Sequence, residues 1–592
     1  MTQSTVSSRD RQTRIPAPFL RYTVAMPRPE THFFEVTLAI EAWRSPQLDL
    51  KMPVWTPGSY LVREYAKQVQ ELKAVASNSG QSLTNRKVAK NHWQIDTASC
   101  ENVTVTYRVF ANELTVRTNH LDGTHGYFNG AALFFFIPGY EQEPIEVAIA
   151  LPDPHWQITT PLPTVAGEKK VFVAPDFDTL VDSPFEIGIQ ETYDFEALGK
   201  HHQWVIWGKG NIEPQHIIDD TIKIIEVEAQ IYGNLPYEKY IFLLHLSASG
   251  YGGLEHKNAC SLNYFRLGFR NKERYNRFMQ LVAHEFFHLW NVKRIRPHAL
   301  EKFNYEGESY TTSLWFCEGT TSYYDALIPC WANIYNRQSF FEAISKDISR
   351  FLLTPGRKVQ PVSEASFDAW IKLYRRDANS DNSQISYYLK GAMVSLLLDL
   401  KIRTLHQNAR SLNDILRKMW QQFGQDEIGF TEDQLRKIIE SVAGCDLSDF
   451  FAKYVDGTEE LPFDEYLQPF GLQIKAVKNK ENLPYTGIKL SANTSSAKVQ
   501  FVEVNSPANL AGIDPGDELL AIDNFRVTAD KFNERLQDYQ PGDEITLTVF
   551  HQDELQHYPL ILGEAQPIAY KLATMKSLSK AQKSLLDGWL QF

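Results

Sequence analysis

Cysteine is scarce: five residues in a chain of 592, at Cys100, Cys260, Cys317, Cys330 and Cys445. They are scattered, odd in number and never spaced as CxxC. That excludes a disulfide framework and a cysteine-built metal site. Long apolar runs are missing as well. Stretches such as Ala131–Pro138 and Val394–Leu400 fall far short of the roughly 20 residues that a membrane span needs. The segment Met1 to Arg14 is rich in Ser, Thr and Gln and lacks the apolar stretch of a secretory signal. There is no basic excess either. The formal net charge is −12, opposite in sign to the usual nucleic-acid-binding surface. No internal repeat or low-complexity tract is visible. What remains is a soluble, cytoplasmic, globular protein with no membrane span and no nucleic-acid partner.

What is present suits several packed cores. The apolar fraction is 43% and the aromatic fraction 12%, and a chain of this length divides into roughly three or four domains. Residues 1–14 read as a disordered N-terminus. Residues 15–195 read as an all-β sandwich, with strand patterns at Phe33–Ile40, Val103–Phe110, Val147–Leu151 and Val171–Ala174. Pro–Gly turns separate them, as in Trp55-Thr56-Pro57-Gly58-Ser59-Tyr60 and Ile137-Pro138-Gly139-Tyr140. Residues 196–466 read as an α+β domain with a mostly helical second half. A strong strand, Tyr240–Leu246, precedes helical patterns at Tyr275–Arg294, Leu314–Leu327, Ile385–Leu405 and Ser411–Phe423. Residues 467–565 return to short strands with one helix, Ala529–Leu536, and 566–592 read as a tail.

The chemistry centres on His284-Glu285-Phe286-Phe287-His288. On a helix, positions i and i+4 share a face, so the two imidazoles can converge on one ion. Phe278, Val282, Phe286 and Leu289 form an apolar stripe beside them, and Pro297 is expected to end the helix. Imidazole nitrogen and carboxylate oxygen suit Zn²⁺, and a catalytic zinc takes three protein ligands and leaves one position for water. Glu285 is then the general base that acts on the zinc-activated water. The third ligand lies elsewhere. A metzincin would need Gly and His where Asn291 and Arg294 stand, which excludes that class. Glu318 is preferred because it falls on a helical pattern, where a ligand is held rigidly. Glu301, Glu306, Glu308 and His298 stay open in a loop-like stretch.

Taken together, these segments resemble known enzymes. His284–His288 with Trp315-Phe316-Cys317-Glu318-Gly319-Thr320-Thr321-Ser322-Tyr323 is similar to the gluzincins, whose third ligand is a Glu on the second helix. The likeness implies that Glu318 is that ligand, for one catalytic Zn²⁺ in a thermolysin-like fold. Tyr251-Gly252-Gly253-Leu254-Glu255-His256 resembles the exopeptidase loop of the large zinc aminopeptidases. That implies substrate binding at Gly252 and Gly253, and capture of the free amino group by Glu255. Leu254 and His256 depart from that loop, which has Met and Asn there. The gap from His288 to Glu318 is also longer than in those enzymes. Tyr388-Leu389-Lys390-Gly391 resembles a Tyr-x-Lys-Gly segment whose Tyr supports the transition state, which makes Tyr388 catalytic, with Tyr387 the alternative by register. Ser506-Pro507-Ala508 through Asp523 resembles a PDZ domain. The combination, with the Trp55–Tyr65 segment, is identified as a member of the glycyl aminopeptidase family. This implies cleavage of N-terminal Gly or Ala from peptide substrates.

Plainer readings stand beside these. A Gly pair also marks a turn, and aromatics at helical spacing usually fill a core. The PDZ-like domain can bind a peptide or a free C-terminus by strand addition, or simply pack internally. The rival functions are a PDZ-assisted zinc endopeptidase and a catalytically idle PDZ scaffold.

Overall fold

The computed structural model describes residues 17–98, 100–479, 482–491 and 496–591. The disordered N-terminus expected over 1–14 lies outside the described residues. The chain forms two compact units. The first runs to Ile212 and adds Tyr237–Gly268 and Phe303–Glu308. The second holds Glu213–Pro236, Phe269–Lys302 and the chain from Ser309 onward.

In the first unit, alternation in sequence becomes alternation in burial. Phe19–Ala25 and Phe33–Glu41 place every second side chain inside, as the pleat requires. They lie at the centre of a seven-stranded sheet that also holds Val103–Phe110 and Ile145–Ala150. Smaller sheets of four and three strands accompany it, and Tyr22, Leu38, Tyr107, Phe128 and Phe134 are among the residues of the shared core. The boundary expected at residue 196 falls inside another sheet. Glu191–Ala197 pairs with Lys200–Trp207, which runs parallel to Lys239–Ser247 and through it to Ala259–Phe265. Gly252–Glu255 is the antiparallel edge strand of these five. Lys239–Ser247 is buried along almost its whole length, hence a continuous apolar run rather than an alternating one.

The second unit is helical, then β. Lys272–Phe287 begins with Asn271, whose side chain accepts from the Arg274 amide, a standard N-cap. Tyr387–His406 is buried on nearly all sides and so serves as the central helix. The PDZ fold contains strands Ile488–Leu490, Ala497–Val502, Glu518–Ile522, Glu544–His551 and Glu554–Ile561. Beside the expected helix, found at Phe532–Leu536, a second helix occupies Pro507–Ala511, capped by Ser506.

Residues 566–592 are not a tail. Ala569–Thr574 pairs with Leu472–Val477, and Lys580–Leu590 is a helix that buries Leu585, Leu586, Trp589 and Leu590. The Trp589 indole donates to the Tyr323 hydroxyl at 2.8 Å, and Tyr323 donates to Asp399 at 2.7 Å. Sequence reading passed over the apolar spacing of this helix and its Ser579–Gln582 capping box. No helix among the described residues is long and apolar enough to cross a membrane.

Candidate functional site

His284 is on the last turn of Lys272–Phe287, and His288 caps that helix. The regular helix stops there, short of Pro297. The Asn291 carbonyl turns back to accept from His288 Nδ1 at 2.6 Å. The next turns widen, with the Lys293 amide reaching the His288 carbonyl and the Ile295 amide the Trp290 carbonyl. The end of the helix is thus shaped around the imidazole it carries.

Glu318 sits on the second element, in a π-helical turn, Trp315–Thr320, that runs into the α-helix Thr321–Trp331. Such wide turns often occur at functional sites. The expected single helix from Leu314 is therefore two kinds of helix joined end to end. Asn291 ties the two elements together. Its amide donates to the carbonyls of Phe316 and Cys317 at 3.1 and 3.2 Å.

The donor atoms converge. Glu318 Oε2 lies 3.6 Å from His284 Nε2 and 3.2 Å from His288 Nε2. Ligands about 2.0–2.2 Å from a tetrahedral zinc stand roughly 3.3–3.6 Å apart, so this set fits the ion. The tautomers agree as well. His284 Nδ1 donates to Asp325 at 2.9 Å and His288 Nδ1 to Asn291, which leaves Nε2 as the atom that each ring turns to the shared point. Burial alone would raise the Glu318 carboxyl, but His288 and His284 hold it below the usual carboxylate range. Glu301, Glu306, Glu308 and His298 are not part of this convergence. Glu285 is 4% exposed, on the same turn as His284.

Tyr388 follows from a close crossing of backbones. A Cβ at Gly319 would stand 2.5 Å from the Gly391 Cα, and one at Gly391 would stand 2.5 Å from the Trp315 carbonyl oxygen. Two glycines therefore let the π-turn and the helix Tyr387–His406 touch, and Tyr388 sits one turn before Gly391. Its ring centroid is 6.3 Å from that of His284. Tyr387 is fully buried. Burial and then the charge of Glu318 raise the Tyr388 phenol well above its usual pKa, so it remains a hydrogen-bond donor.

Sequence reading missed Asp325, Asn291 and Tyr374. Asp325 stands two helical turns beyond Glu318, a spacing that in hindsight marks the same face. Tyr374 has no sequence signal. Its hydroxyl lies 3.1 Å from that of Tyr388 and 3.3 Å from that of Tyr387.

The remaining predicted residues, Gly252, Gly253 and Glu255, belong to the edge strand of the first unit. Glu255 is 3% exposed, and its Oε1 has no hydrogen-bond partner among the described residues. His256, in place of the usual Asn, is held by Asp182 at 3.2 Å. Arg117 donates to the Gly253 carbonyl at 2.9 Å.

Residues 21–189 match the Peptidase M61 N-terminal domain, 277–394 the M61 glycyl aminopeptidase family, and 484–562 a PDZ domain. The chain is similar to the crystal structure of an aminopeptidase N family protein from Idiomarina loihiensis. The two share 32% identity with a TM-score of 0.90, over 97% of this chain and 100% of that one. A more distant likeness is to an M1 zinc metallopeptidase from Deinococcus radiodurans. There the identity is 13% and the TM-score 0.46, over 76% of this chain and 95% of that one, too low to bear weight. No curated protein matches the chain.

Proposed function

The chain belongs to the M61 glycyl aminopeptidase family and is a metallopeptidase, and from that premise we propose that it uses one zinc ion to remove small N-terminal residues, Gly or Ala, from peptides. The observation that carries the reading is the convergence of two Nε2 atoms and the Glu318 carboxylate. His284, His288 and Glu318 would hold the ion. When bound, zinc supplies a Lewis acid and brings the pKa of a water from about 15.7 towards about 7. Glu285 takes a proton from the attacking water and passes it to the leaving amine. Tyr388, kept as a phenol, donates a hydrogen bond to the oxygen that gains charge. No covalent enzyme intermediate forms.

Glu255 is the partner of the substrate's ammonium. A buried carboxylate oxygen without a partner among the described residues favours a cationic ligand. Gly252 and Gly253 let a substrate backbone approach. We also assign peptide binding to the PDZ domain, by strand addition at Ile488–Leu490, which ends its sheet. We also place the chain in the cytoplasm, the compartment that five scattered cysteines without CxxC spacing favour.

The test is to compare peptides with free N-terminal Gly or Ala against their N-acetylated forms. Losing a charge-assisted pair costs about 1.5–3 kcal/mol, so kcat/KM should fall about tenfold to a few hundredfold on acetylation. Glu255→Ala should erase most of that difference. Equal cleavage of both forms, or internal cuts in a long unfolded protein, would favour an endopeptidase instead.

A further inference from the structure

We infer that the turn Thr56–Ser59 of the N-terminal β domain, through Gly58, positions Glu255 and so sets the preference for a free amino terminus. This rests on the reading of Glu255 as the ammonium's partner. The turn is tight, with the Ser59 amide donating to the Thr56 carbonyl at 3.1 Å. Pro57 precedes Gly58, whose φ is +85°, the conformation that a type II turn demands of its third residue. Turns normally lie at the surface, yet Trp55, Thr56 and Ser59 are buried. The Trp55 indole holds the segment by donating to the Asn304 carbonyl at 2.7 Å.

A Cβ built on Gly58 would stand 2.5 Å from both carboxylate oxygens of Glu255 and 2.7 Å from its Cδ. The carboxylate therefore lies directly against the bare Cα. The strand behind it is fixed by Arg117 on the Gly253 carbonyl, so the backbone does not carry the head group elsewhere. If a methyl group is added at position 58, the nearest atoms it meets are the tip of one side chain. The expected damage falls on the aim of Glu255 rather than on the fold.

The protein contains its own control. Ile137-Pro138-Gly139-Tyr140 is a second Pro–Gly turn, with Tyr140 donating to the Ile137 carbonyl at 3.0 Å and Gly139 at φ +87°. A Cβ on Gly139 would meet nothing within 4 Å. Gly139→Ala thus reproduces the backbone strain of Gly58→Ala without touching Glu255.

The experiment measures kcat and KM for free and N-acetylated Gly and Ala peptides on the zinc-loaded full chain. Gly58→Ala should lower the free-over-acetylated ratio of kcat/KM by about tenfold, the scale of one charge-assisted bond. The loss should appear mainly as a raised KM for the free peptide. Zinc content and turnover of the acetylated peptide should stay unchanged. Gly139→Ala should leave the ratio intact. Added to Glu255→Ala, Gly58→Ala should change the ratio no further, because the two act through one contact. If Glu255→Ala lowers the ratio and Gly58→Ala does not, the turn has no such role and Glu255 keeps its own. If neither lowers it, the reading of Glu255 fails first. Should Gly58→Ala not fold, the double variant with Glu255→Ala decides, since it makes room for the methyl group. Folding of the double variant supports the contact, and its failure to fold overturns it.

Discussion

Glu318 and Glu255 are both buried carboxylates, but their surroundings treat charge in opposite ways. Around Glu318 the back of each histidine is occupied, His284 by Asp325 and His288 by Asn291. Around Glu255 the backbone is gripped while one carboxylate oxygen has no hydrogen-bond partner among the described residues. An unsatisfied buried polar group costs about 1–3 kcal/mol, more if charged. The first arrangement would be complete with the proposed metal. The second keeps a deficit that, on the proposed reading, a cationic ligand would remove. Ligands for an ion must be rigid before it arrives, whereas recognition draws on pairing left unfinished.

Substitutions can sharpen or break this contrast. The largest effect is expected from Glu285→Gln, which keeps shape and removes the base. Zinc should be retained while turnover falls about 10²–10⁴-fold, and near-normal kcat with zinc bound would remove Glu285 from this role. Tyr388→Phe should follow, with a loss of about 10²–10³ in kcat and little change in KM. Tyr387→Phe should be nearly silent, and the reverse pattern would mean that the register is wrong by one. Asp325→Asn should be milder, weakening zinc binding by about 10–100-fold as read by metal content after dialysis. Its zinc-saturated form should keep the wild-type preference for free over acetylated peptides. A changed preference would show that the two carboxylate regions are not independent.

Much of this was legible before any coordinates, for reasons that can be named. The i, i+4 histidines and the Glu on the following helix carry strong periodic signals. The residues behind the ligands do not. Asp325 is one acid among many, and Tyr374 meets Tyr388 only through the fold. The π-turn at Trp315–Thr320 escaped because sequence periodicity assumes the ordinary helical repeat. The domain limit at 196 was misplaced because Glu191–Ala197 and Lys200–Trp207 look like any other hairpin. What assigns them is parallel pairing with Lys239–Ser247, a distant partner that local pattern does not reveal.

The strand pair Leu472–Val477 and Ala569–Thr574 brackets the PDZ fold, and Trp589 completes the hydrogen bonds of Tyr323 and Trp331. This orders events during synthesis. The π-turn with Glu318 runs into the helix that bears Tyr323 and Asp325 and ends at Trp331, and the groups of Trp589 that meet Tyr323 and Trp331 leave the ribosome long after it. A nascent chain halted after the strand Glu554–Ile561 would carry every proposed catalytic residue and still lack those groups. In chain order, the last pieces of the helical unit thus follow the whole PDZ domain.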